Sequence, residues 1–330
     1  MKTIHTALVT GANSGLGFEA AAQLAEQGAS RVILACRNPT KAAAAAQALR
    51  ERTGRDVFEV EVVDVSEVAS ASALAARLVR AGTKIDYLLL NASNDSLERV
   101  ITEGGYELTL ATNLVGHHVL TVDLVEGGAL AAGARIVIST SEVVRRLVHD
   151  RLYDYDRLAE DAGSVRSAAV EVVRGRLPRK HAMMSAYSNA KMWAVWWALE
   201  LSRRLPEGMA VFAVSPGVVP HTRDPKTLPW SIRSMMPLYR VLAPLLGAAW
   251  SVSDGARQYL EGAGLPVSES GAFYGAPPRR GIGKLERQTD DHYDNEPWAA
   301  AVWAALTRET GHALHRSGTG PSGRRSSPVH

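Results

Sequence analysis

The chain is poor in cysteine: Cys36 is the only one among 330 residues. A single thiol excludes an internal disulfide. Because disulfides belong to oxidising compartments, this scarcity favours a reducing, cytoplasmic location.

A strong net charge is also absent, since 37 Lys and Arg residues against 34 Asp and Glu residues leave a net charge of +3. No Lys/Arg cluster is dense enough to predict a nucleic-acid interface, so no nucleic-acid partner is expected.

Long apolar runs are missing as well. No run approaches the roughly 20 residues that span a bilayer, so no integral membrane segment is predicted. The N-terminus enters a strand-like run at residues 5–9 without a signal-peptide pattern. With 46% hydrophobic and 22% charged residues, the composition is that of an ordinary globular protein with ample material for a core.

Clusters of metal-ligating residues are lacking too. A zinc site, for example, needs three or four ligands at characteristic spacings. The sequence offers isolated pairs. We interpret His117 with His118 and Asp291 with His292 as structural or solvated, and His312 with His315 has no third ligand nearby. No metal is therefore predicted.

Short apolar runs alternate with helical patterns along the chain. The predicted strands are 5–9, 31–35, 57–63, 85–90, 134–140, 209–215 and, at one edge, 271–275. The predicted helices are 16–28, 40–53, 67–82, 102–131, 184–204 and 297–309. Continuous β-branched strands separated by helices indicate a parallel sheet covered on both faces. The fold class is therefore α/β: one doubly wound, Rossmann-type domain with a sheet of about seven strands.

Three glycines lie where the first strand gives way to the first helix. The segment Thr10-Gly-Ala-Asn-Ser-Gly-Leu-Gly17 has the spacing GxxxGxG. Glycines let the backbone turn sharply and approach a pyrophosphate, and the helix N-terminus offers free N–H groups and a positive dipole end. The alternative is a glycine-rich turn without a ligand. The predicted cofactor-binding residues here are Gly11, Asn13, Ser14, Gly15, Leu16 and Gly17.

Tyr187 and Lys191 lie four residues apart in the predicted helix 184–204, so they share one helix face. An ammonium group there stabilises the ionised phenol and lowers its pKa from about 10. A phenol tuned in this way can exchange a proton with a substrate oxygen near neutral pH. The same spacing also occurs on solvated helix faces, so the pair alone does not decide the function.

Together, and in this order, these motifs resemble the short-chain dehydrogenase/reductase family. The glycine-rich segment is similar to the family's cofactor loop, and Tyr187-x-x-x-Lys191 is similar to its catalytic pair. The resemblance covers residues 5 to about 275. It points to a branch similar to retinol dehydrogenases, carbonyl reductases and light-dependent protochlorophyllide reductases.

The resemblance implies further site residues. Asp64 and Val65 match the adenine-contacting position, and Asn91-Ala92 matches the Asn-Ala-Gly turn, with Ser93 in place of the glycine. The implied set is completed by Asn113 as the helix asparagine, Ser141 as the catalytic serine with Ser139 as the alternative, and Pro216, Gly217 and Val219 beside the nicotinamide. Tyr187 and Lys191 are also implied to contact the cofactor.

Arg37 indicates which nicotinamide cofactor is bound. In dinucleotide folds a carboxylate about 20 residues beyond the glycines binds the ribose 2′-OH, while a basic residue suits a 2′-phosphate. Arg37 stands at that distance from Gly17, with Lys41 as a possible helper. Because guanidinium pairs well with phosphate, NADP(H) is predicted. The alternative is an ordinary surface arginine.

The segment between Ser141 and Tyr187 is far longer than is usual in the family. Its extra part, at about 144–183, is arginine-rich, and a segment of this length is usually functional or structured in its own right. We interpret it as covering the cleft or altering the assembly surface, with a tolerated surface loop as the alternative. Residues 222–250 are predicted to form an apolar substrate lid, with plain packing and a membrane-surface contact as the alternatives. The domain spans 1–311, and the Gly/Ser/Pro-rich tail 312–330 is predicted to be disordered.

The function that follows is NADPH-dependent reduction of a carbonyl on a medium-sized, fairly apolar small molecule. The resemblance implies that Tyr187 donates the proton, Lys191 tunes it, Ser141 binds the carbonyl oxygen, and Asn113 orders a relay water. Two alternatives remain open: reduction of a carbon–carbon double bond, as in protochlorophyllide reductases, and a non-catalytic NADPH sensor. Either a monomer or a homodimer is compatible with the sequence.

Overall fold

The computed structural model describes residues 4–145, 152–219, 249–278 and 280–314. Its centre is an eight-stranded sheet in the order β3-β2-β1-β4-β5-β6-β7-β8. The strands are β1 (Thr6–Thr10), β2 (Arg31–Cys36), β3 (Phe58–Val62), β4 (Ile85–Leu90), β5 (Leu130–Ser139), β6 (Ala210–Val214), β7 (Phe273–Gly275) and β8 (Glu286–Gln288). All neighbouring pairs are parallel except β7 and β8. The predicted α/β fold class is confirmed.

The eighth strand corrects the prediction at one edge of the sheet. We assigned residues 271–275 to the edge strand, but β8 pairs antiparallel with β7 and lies outside it. The sequence Glu286-Arg-Gln288 is short and wholly polar, so it carries none of the apolar alternation by which strands are found.

Nine α-helices are assigned in the described part of the chain. They are α1 (Gly15–Glu26), α2 (Pro39–Thr53), α3 (Val68–Arg80), α4 (Leu108–Glu126), α5 (Tyr155–Ala162), α6 (Val165–Val173), α7 (Met183–Ser202), α8 (Val252–Gly262) and α9 (Glu296–Thr310). The helix predicted at 102–131 is therefore shorter at both ends. Gly105 adopts a positive φ of 79° before it, and Gly128 adopts one of 65° after it.

Helices cover both faces of the sheet. One apolar layer joins the sheet to α3, α4 and α7, and α6 and α9 pack outside them. The other layer joins the sheet to α1, α2 and α8. The chain passes from β1 outward to β3 and then returns to place β4 beside β1. In such sheets, ligands bind at the carboxyl ends of the strands where the order reverses, here between β1 and β4.

Helix α4 is long and apolar enough to cross a membrane by length and composition alone, which differs from the sequence prediction. However, 78% of its apolar window is buried inside the fold. Burial of this extent is what a central helix of a globular domain requires, because its apolar surface already packs against protein.

The segment inserted before Tyr187 is structured where it is described. Helices α5 and α6 pack against each other, and α6 packs along α9. The ring of Tyr155 lies 4.9 Å from that of Trp196 and 4.8 Å from that of Trp298, measured between centroids. The insertion therefore extends the apolar core instead of forming a loose surface loop.

Two predicted segments fall largely outside the described residues. Of the predicted lid at 222–250, residues 222–248 are not described, and of the predicted disordered tail, residues 315–330 are not described. The first residues of that tail are packed, which differs from the prediction. His312 Nδ1 lies 2.5 Å from an oxygen of Asp123, and Leu314 is buried.

Candidate active site

The glycine-rich loop turns as a phosphate cradle requires. Gly11 and Gly15 have positive φ values of 67° and 57°. A Cβ on Gly17 would lie 2.5 Å from the carbonyl oxygen of Gly11, so a side chain there would collide with backbone. A Cβ on Gly15 would meet nothing within 4 Å, which leaves open space at the start of α1. Ser14 caps that helix without a side-chain hydrogen bond, so α1 opens toward a free N-terminal end.

Thr10 fastens this loop to the end of β4. Its Oγ1 accepts hydrogen bonds from the backbone N–H groups of Asn91 (2.9 Å) and Ala92 (3.0 Å). The Asn91 side chain in turn donates to the Thr10 carbonyl oxygen at 3.0 Å. The predicted cofactor residues Gly11, Asn91 and Ala92 are thereby brought together at the point where the strand order reverses.

Arg37 and Asp64 lie at the ends of the neighbouring strands β2 and β3. Their closest nitrogen and oxygen atoms are 3.8 Å apart, and the Arg37 side chain is 72% exposed. Asp64 is the one ion-pair partner of Arg37 among the described residues, and at this distance the guanidinium keeps donors for another anion. Next to Asp64, Val65 is buried against α4, where a Cβ on Gly116 would come within 1.7 Å of the Val65 carbonyl oxygen.

The Tyr187–Lys191 pair lies on α7, as predicted. Lys191 is 1% exposed, and its Nζ donates to the carbonyl oxygen of Ser139 at 3.0 Å. The same Nζ is 5.7 Å from the centre of the half-buried Tyr187 ring. Burial lowers the pKa of Lys191 to about 7, and the negative charge of Asp95 opposes that shift. The pKa of Lys191 therefore lies well below that of an ordinary lysine.

The structure distinguishes the two candidate serines at the end of β5. Ser139 is buried, and its Oγ is 2.7 Å from the hydroxyl of Tyr259. Ser141 is only partly buried, and its Oγ accepts a long hydrogen bond of 3.4 Å from the Val143 N–H. Ser141 therefore has the freer hydroxyl, which favours it as the serine that contacts substrate.

Asn113 lies within a π-helical turn of α4, Ala111–Val115. Its side-chain amide donates to the carbonyl oxygens of Asn94 (2.7 Å) and Thr109 (2.8 Å), and its Oδ1 accepts from Ser93 Oγ at 2.7 Å. Ser93, which replaces the family's glycine, thus fixes Asn113. A π turn interrupts the regular helical hydrogen bonds and is often found at functional sites.

The segment Pro216–Val219 continues from β6 along the same edge of the sheet. Gly217 has a φ of 77°, and a Cβ there would lie 2.6 Å from the Trp250 ring. A Cβ on Gly255 of α8 would lie 2.6 Å from Val219 and 3.0 Å from Leu16. Gly255 thus brings this segment and the glycine-rich loop into contact.

A buried ion pair stabilises the short segment that follows Ser141. The Arg145 guanidinium pairs with the Glu142 carboxylate and donates to the carbonyl oxygens of Arg280 (2.8 Å) and Pro277 (2.9 Å). The backbone beyond it also contacts the Pro-Gly segment, because the Val218 N–H donates to the Gly281 carbonyl oxygen. Backbone carbonyl groups of Pro277, Arg280 and Gly281 therefore contact both the segment after Ser141 and the Pro-Gly segment.

Sequence reasoning missed several contributors to this site. Thr10 was not assigned a role, and His117 was interpreted only as structural or solvated. His117 is buried and bridges Thr10 and Asn113. The local signal was available, because Asn113 and His117 are four residues apart on one helix, as Tyr187 and Lys191 are. The contact of His117 with Thr10 is long-range and has no sequence signal.

No group of three or more His, Cys, Asp or Glu residues suited to a metal ion occurs among the described residues. The predicted cofactor and catalytic residues either follow the carboxyl ends of strands between β3 and β6 in the sheet or lie on helices α1, α4 and α7. The roles we assigned to them remain predictions.

Known proteins resemble this chain along much of its length. A sequence model of the family described as short chain dehydrogenase matches residues 5–149. Human retinol dehydrogenase 13 is 32% identical over 214 residues, 64% of this chain and 58% of that protein. The bovine dehydrogenase/reductase SDR family member 13 is 33% identical over 243 residues, 73% of this chain and 58% of that protein. The chain thus spans 58% of the length of these curated relatives.

Solved structures share the fold. An uncharacterised protein from Mycobacterium paratuberculosis has a TM-score of 0.68 at 24% identity, covering 94% of this chain and 95% of that one. Salutaridine reductase from Papaver somniferum has a TM-score of 0.59 at 20% identity, covering 82% and 99%. A short chain dehydrogenase from Burkholderia cenocepacia in complex with NADP has a TM-score of 0.55 at 22% identity, covering 82% and 94%.

Proposed function

Because the chain belongs to the short-chain dehydrogenase/reductase family, with its relatives on the retinol dehydrogenase side, we propose that it is an NADPH-dependent carbonyl reductase. Oxidoreductase activity with a nicotinamide cofactor is the family's common property. The carbonyl substrate, the preference for NADPH and the direction of reaction are our proposal. We also propose a cytoplasmic location, supported by the single cysteine, Cys36.

The residues present fit a nicotinamide dinucleotide. The open space at Gly15 and the free N-terminal end of α1 suit a pyrophosphate. The exposed Arg37 guanidinium, beside Asp64, suits a 2′-phosphate better than a bare hydroxyl. NADP in complex with the Burkholderia protein of the same fold supports binding of a nicotinamide cofactor.

One observation supports the catalytic assignment most strongly. Lys191 is buried on α7, yet its Nζ reaches the Ser139 carbonyl oxygen at the end of β5, two residues before Ser141. The helix that carries Tyr187 is thereby fastened to the strand that carries the serine. A cationic group is costly to bury unless its charge is used, so this placement supports a functional lysine.

The chain's own residues would divide the reaction between them. The Tyr187 hydroxyl donates its proton to the substrate oxygen, and Ser141 Oγ donates a hydrogen bond to the same oxygen. Lys191 stabilises the phenolate left on Tyr187 and exchanges protons near neutral pH, in accord with its lowered pKa. Asn113 orders the water that relays protons to Lys191. When bound, the reduced nicotinamide supplies the hydride.

The proposal is tested by following NADPH oxidation with a panel of ketones, aldehydes, quinones and conjugated enones. We expect turnover with apolar ketones or aldehydes, and product analysis of the enones should give allylic alcohols. Saturated ketones from the enones would instead indicate double-bond reduction. Tight NADPH binding without turnover of any compound would indicate a sensor, and either result would overturn the proposal.

A further inference from the structure

His117 connects the cofactor loop with the turn that holds Asn113. The ring is buried within α4, one helical turn after Asn113. Its Nδ1 is 3.2 Å from the Asn113 carbonyl oxygen, and its Nε2 is 3.0 Å from Thr10 Oγ1. The contact with Thr10 joins residues 107 positions apart in the chain and connects β1 with α4.

These partners determine which ring nitrogen carries the proton. A carbonyl oxygen can only accept, so Nδ1 must donate to Asn113. Burial, with a smaller contribution from the charge of Lys191, lowers the pKa of His117 to about 3 against the opposing hydrogen bond to Asn113, so the ring is neutral and Nε2 bears no proton. Nε2 therefore accepts the Thr10 hydroxyl proton, for which the other acceptor, the Leu89 carbonyl oxygen, is more distant at 3.4 Å.

The Thr10 hydroxyl is saturated as a result. It accepts the N–H groups of Asn91 and Ala92 and donates its one proton to His117. One continuous series of hydrogen bonds thus runs from the glycine-rich loop, through the histidine, to the backbone of Asn113. A rotation of the Thr10 hydroxyl toward Leu89 would break it.

We propose that His117 is a positioning residue that fixes the glycine-rich loop relative to the helical turn that carries Asn113. One side chain would thus support both cofactor binding and the proton relay. The Thr10 side of the ring serves cofactor affinity, and the Asn113 side serves turnover. This inference rests on the proposed function for its kinetic consequences, but its hydrogen-bond pattern does not.

The first test is spectroscopic and needs no cofactor. In protein labelled with ¹⁵N-histidine, long-range ¹H–¹⁵N correlation should show that His117 carries its proton on Nδ1. The ring should be neutral at pH 7 and should not titrate near that pH, because burial lowers its pKa. The adjacent His118 is the matched reference. It accepts from Trp197 at Nδ1 and donates from Nε2 to His312, so it should have the opposite tautomer. A proton on Nε2 of His117 would overturn the inference.

The second test separates the two sides of the ring. An asparagine amide occupies the position of Nδ1, and a glutamine amide reaches that of Nε2. His117→Asn should therefore raise the NADPH Kd about 10-fold with kcat retained, whereas His117→Gln should lower kcat about 10-fold with the Kd retained, as expected for a lost buried hydrogen bond. Thr10→Ser keeps the hydroxyl and should bind NADPH as the wild type does.

His118→Asn is the control, because it replaces an equally buried histidine whose ring nitrogens hydrogen-bond to Trp197 and His312 instead. It should lower the urea midpoint but leave the NADPH Kd and kcat unchanged. Equal effects of His117→Asn and His117→Gln on both constants would overturn the inference. Wild-type protein that binds no NADPH would instead overturn the proposed function and its kinetic consequences, without changing the tautomers.

Discussion

Lys191 is a buried amine whose surroundings oppose its charge. Burial lowers its pKa from 10.5 to about 7, while Asp95 raises it. Between these two pKa values the unfolded chain binds a proton that the folded chain does not, so this group makes stability rise with pH across that window. Below it both states are protonated, and the full cost of burying the charge is present.

We therefore expect Lys191→Met to stabilise the cofactor-free protein most at about pH 6 and progressively less toward about pH 10. Methionine retains much of the apolar stem and removes the titrating group. Urea unfolding of both proteins across this range measures the difference. A difference that does not vary with pH would contradict the assignment of a lowered lysine pKa.

Arg37 is a second residue whose effect can be isolated. Its exposed guanidinium pairs with Asp64 only at 3.8 Å, so its removal should cost little stability. We expect Arg37→Ala to raise the NADPH Kd by about 10- to 100-fold, the range of a lost charged hydrogen bond, and to leave the NADH Kd unchanged. Fluorescence titration measures both constants.

Arg80→Ala provides the comparison for Arg37, because Arg80 is exposed at the far end of α3, away from the carboxyl edge of the sheet. Its removal changes the net charge equally. An equal loss of NADPH affinity in both variants would mean that general electrostatics, and not a 2′-phosphate contact, explains the preference.

At the scale of elements, the inserted segment is held to the catalytic helix at Asn189, two residues after Tyr187. The Tyr153 N–H donates to Asn189 Oδ1 at 3.0 Å, and the Tyr155 hydroxyl donates to the same oxygen. Asn189 also donates to the Ser185 carbonyl oxygen within α7. The insertion thus contacts the same helical turns that carry Tyr187 and Lys191.

Tyr155→Phe keeps the ring between Trp196 and Trp298 but removes the hydrogen bond to Asn189. We expect it to lower the free energy of unfolding by about 1 kcal/mol, whereas Tyr155→Ala should cost about 3–5 kcal/mol through the cavity it leaves. Urea unfolding distinguishes the two. If both substitutions had equally small effects, the insertion would not be packed as described.

The elements found from sequence were those whose signals are local. β4 was predicted with its observed bounds because an apolar run ends at Asn91, and the glycine-rich loop was found from its spacing. β8 was missed because its residues are polar. The pKa of Lys191 and the contact between His117 and Thr10 depend on segments that are distant in the sequence and pack together only in the fold. No residue spacing therefore indicates them.

At the scale of the whole molecule, the described residues leave few apolar surfaces for self-association. The side of α7 away from the sheet is covered by α9, and α6 covers α9 in turn. Among the described residues, the exposed large apolar side chains are scattered: Val60, Val62, Leu97, Val100, Ile101 and Val267. Stable homodimers usually need a broad, apolar interface.

We therefore expect a monomer, which light scattering coupled to size exclusion would report as a mass near 35.4 kDa. The insertion supports this expectation because it occupies helix surface that would otherwise be open. A species of twice that mass that persists on dilution would contradict this expectation and would indicate an interface outside the described residues.

The central claim is that Tyr187 supplies the proton at a site that binds NADPH. The most direct measurement compares Tyr187→Phe with wild type, using the best substrate of the carbonyl panel and a separate NADPH titration. The account predicts a loss of turnover of about 10²- to 10⁴-fold, the usual contribution of a general acid, with the NADPH Kd within about twofold. Turnover that survives the substitution would contradict it.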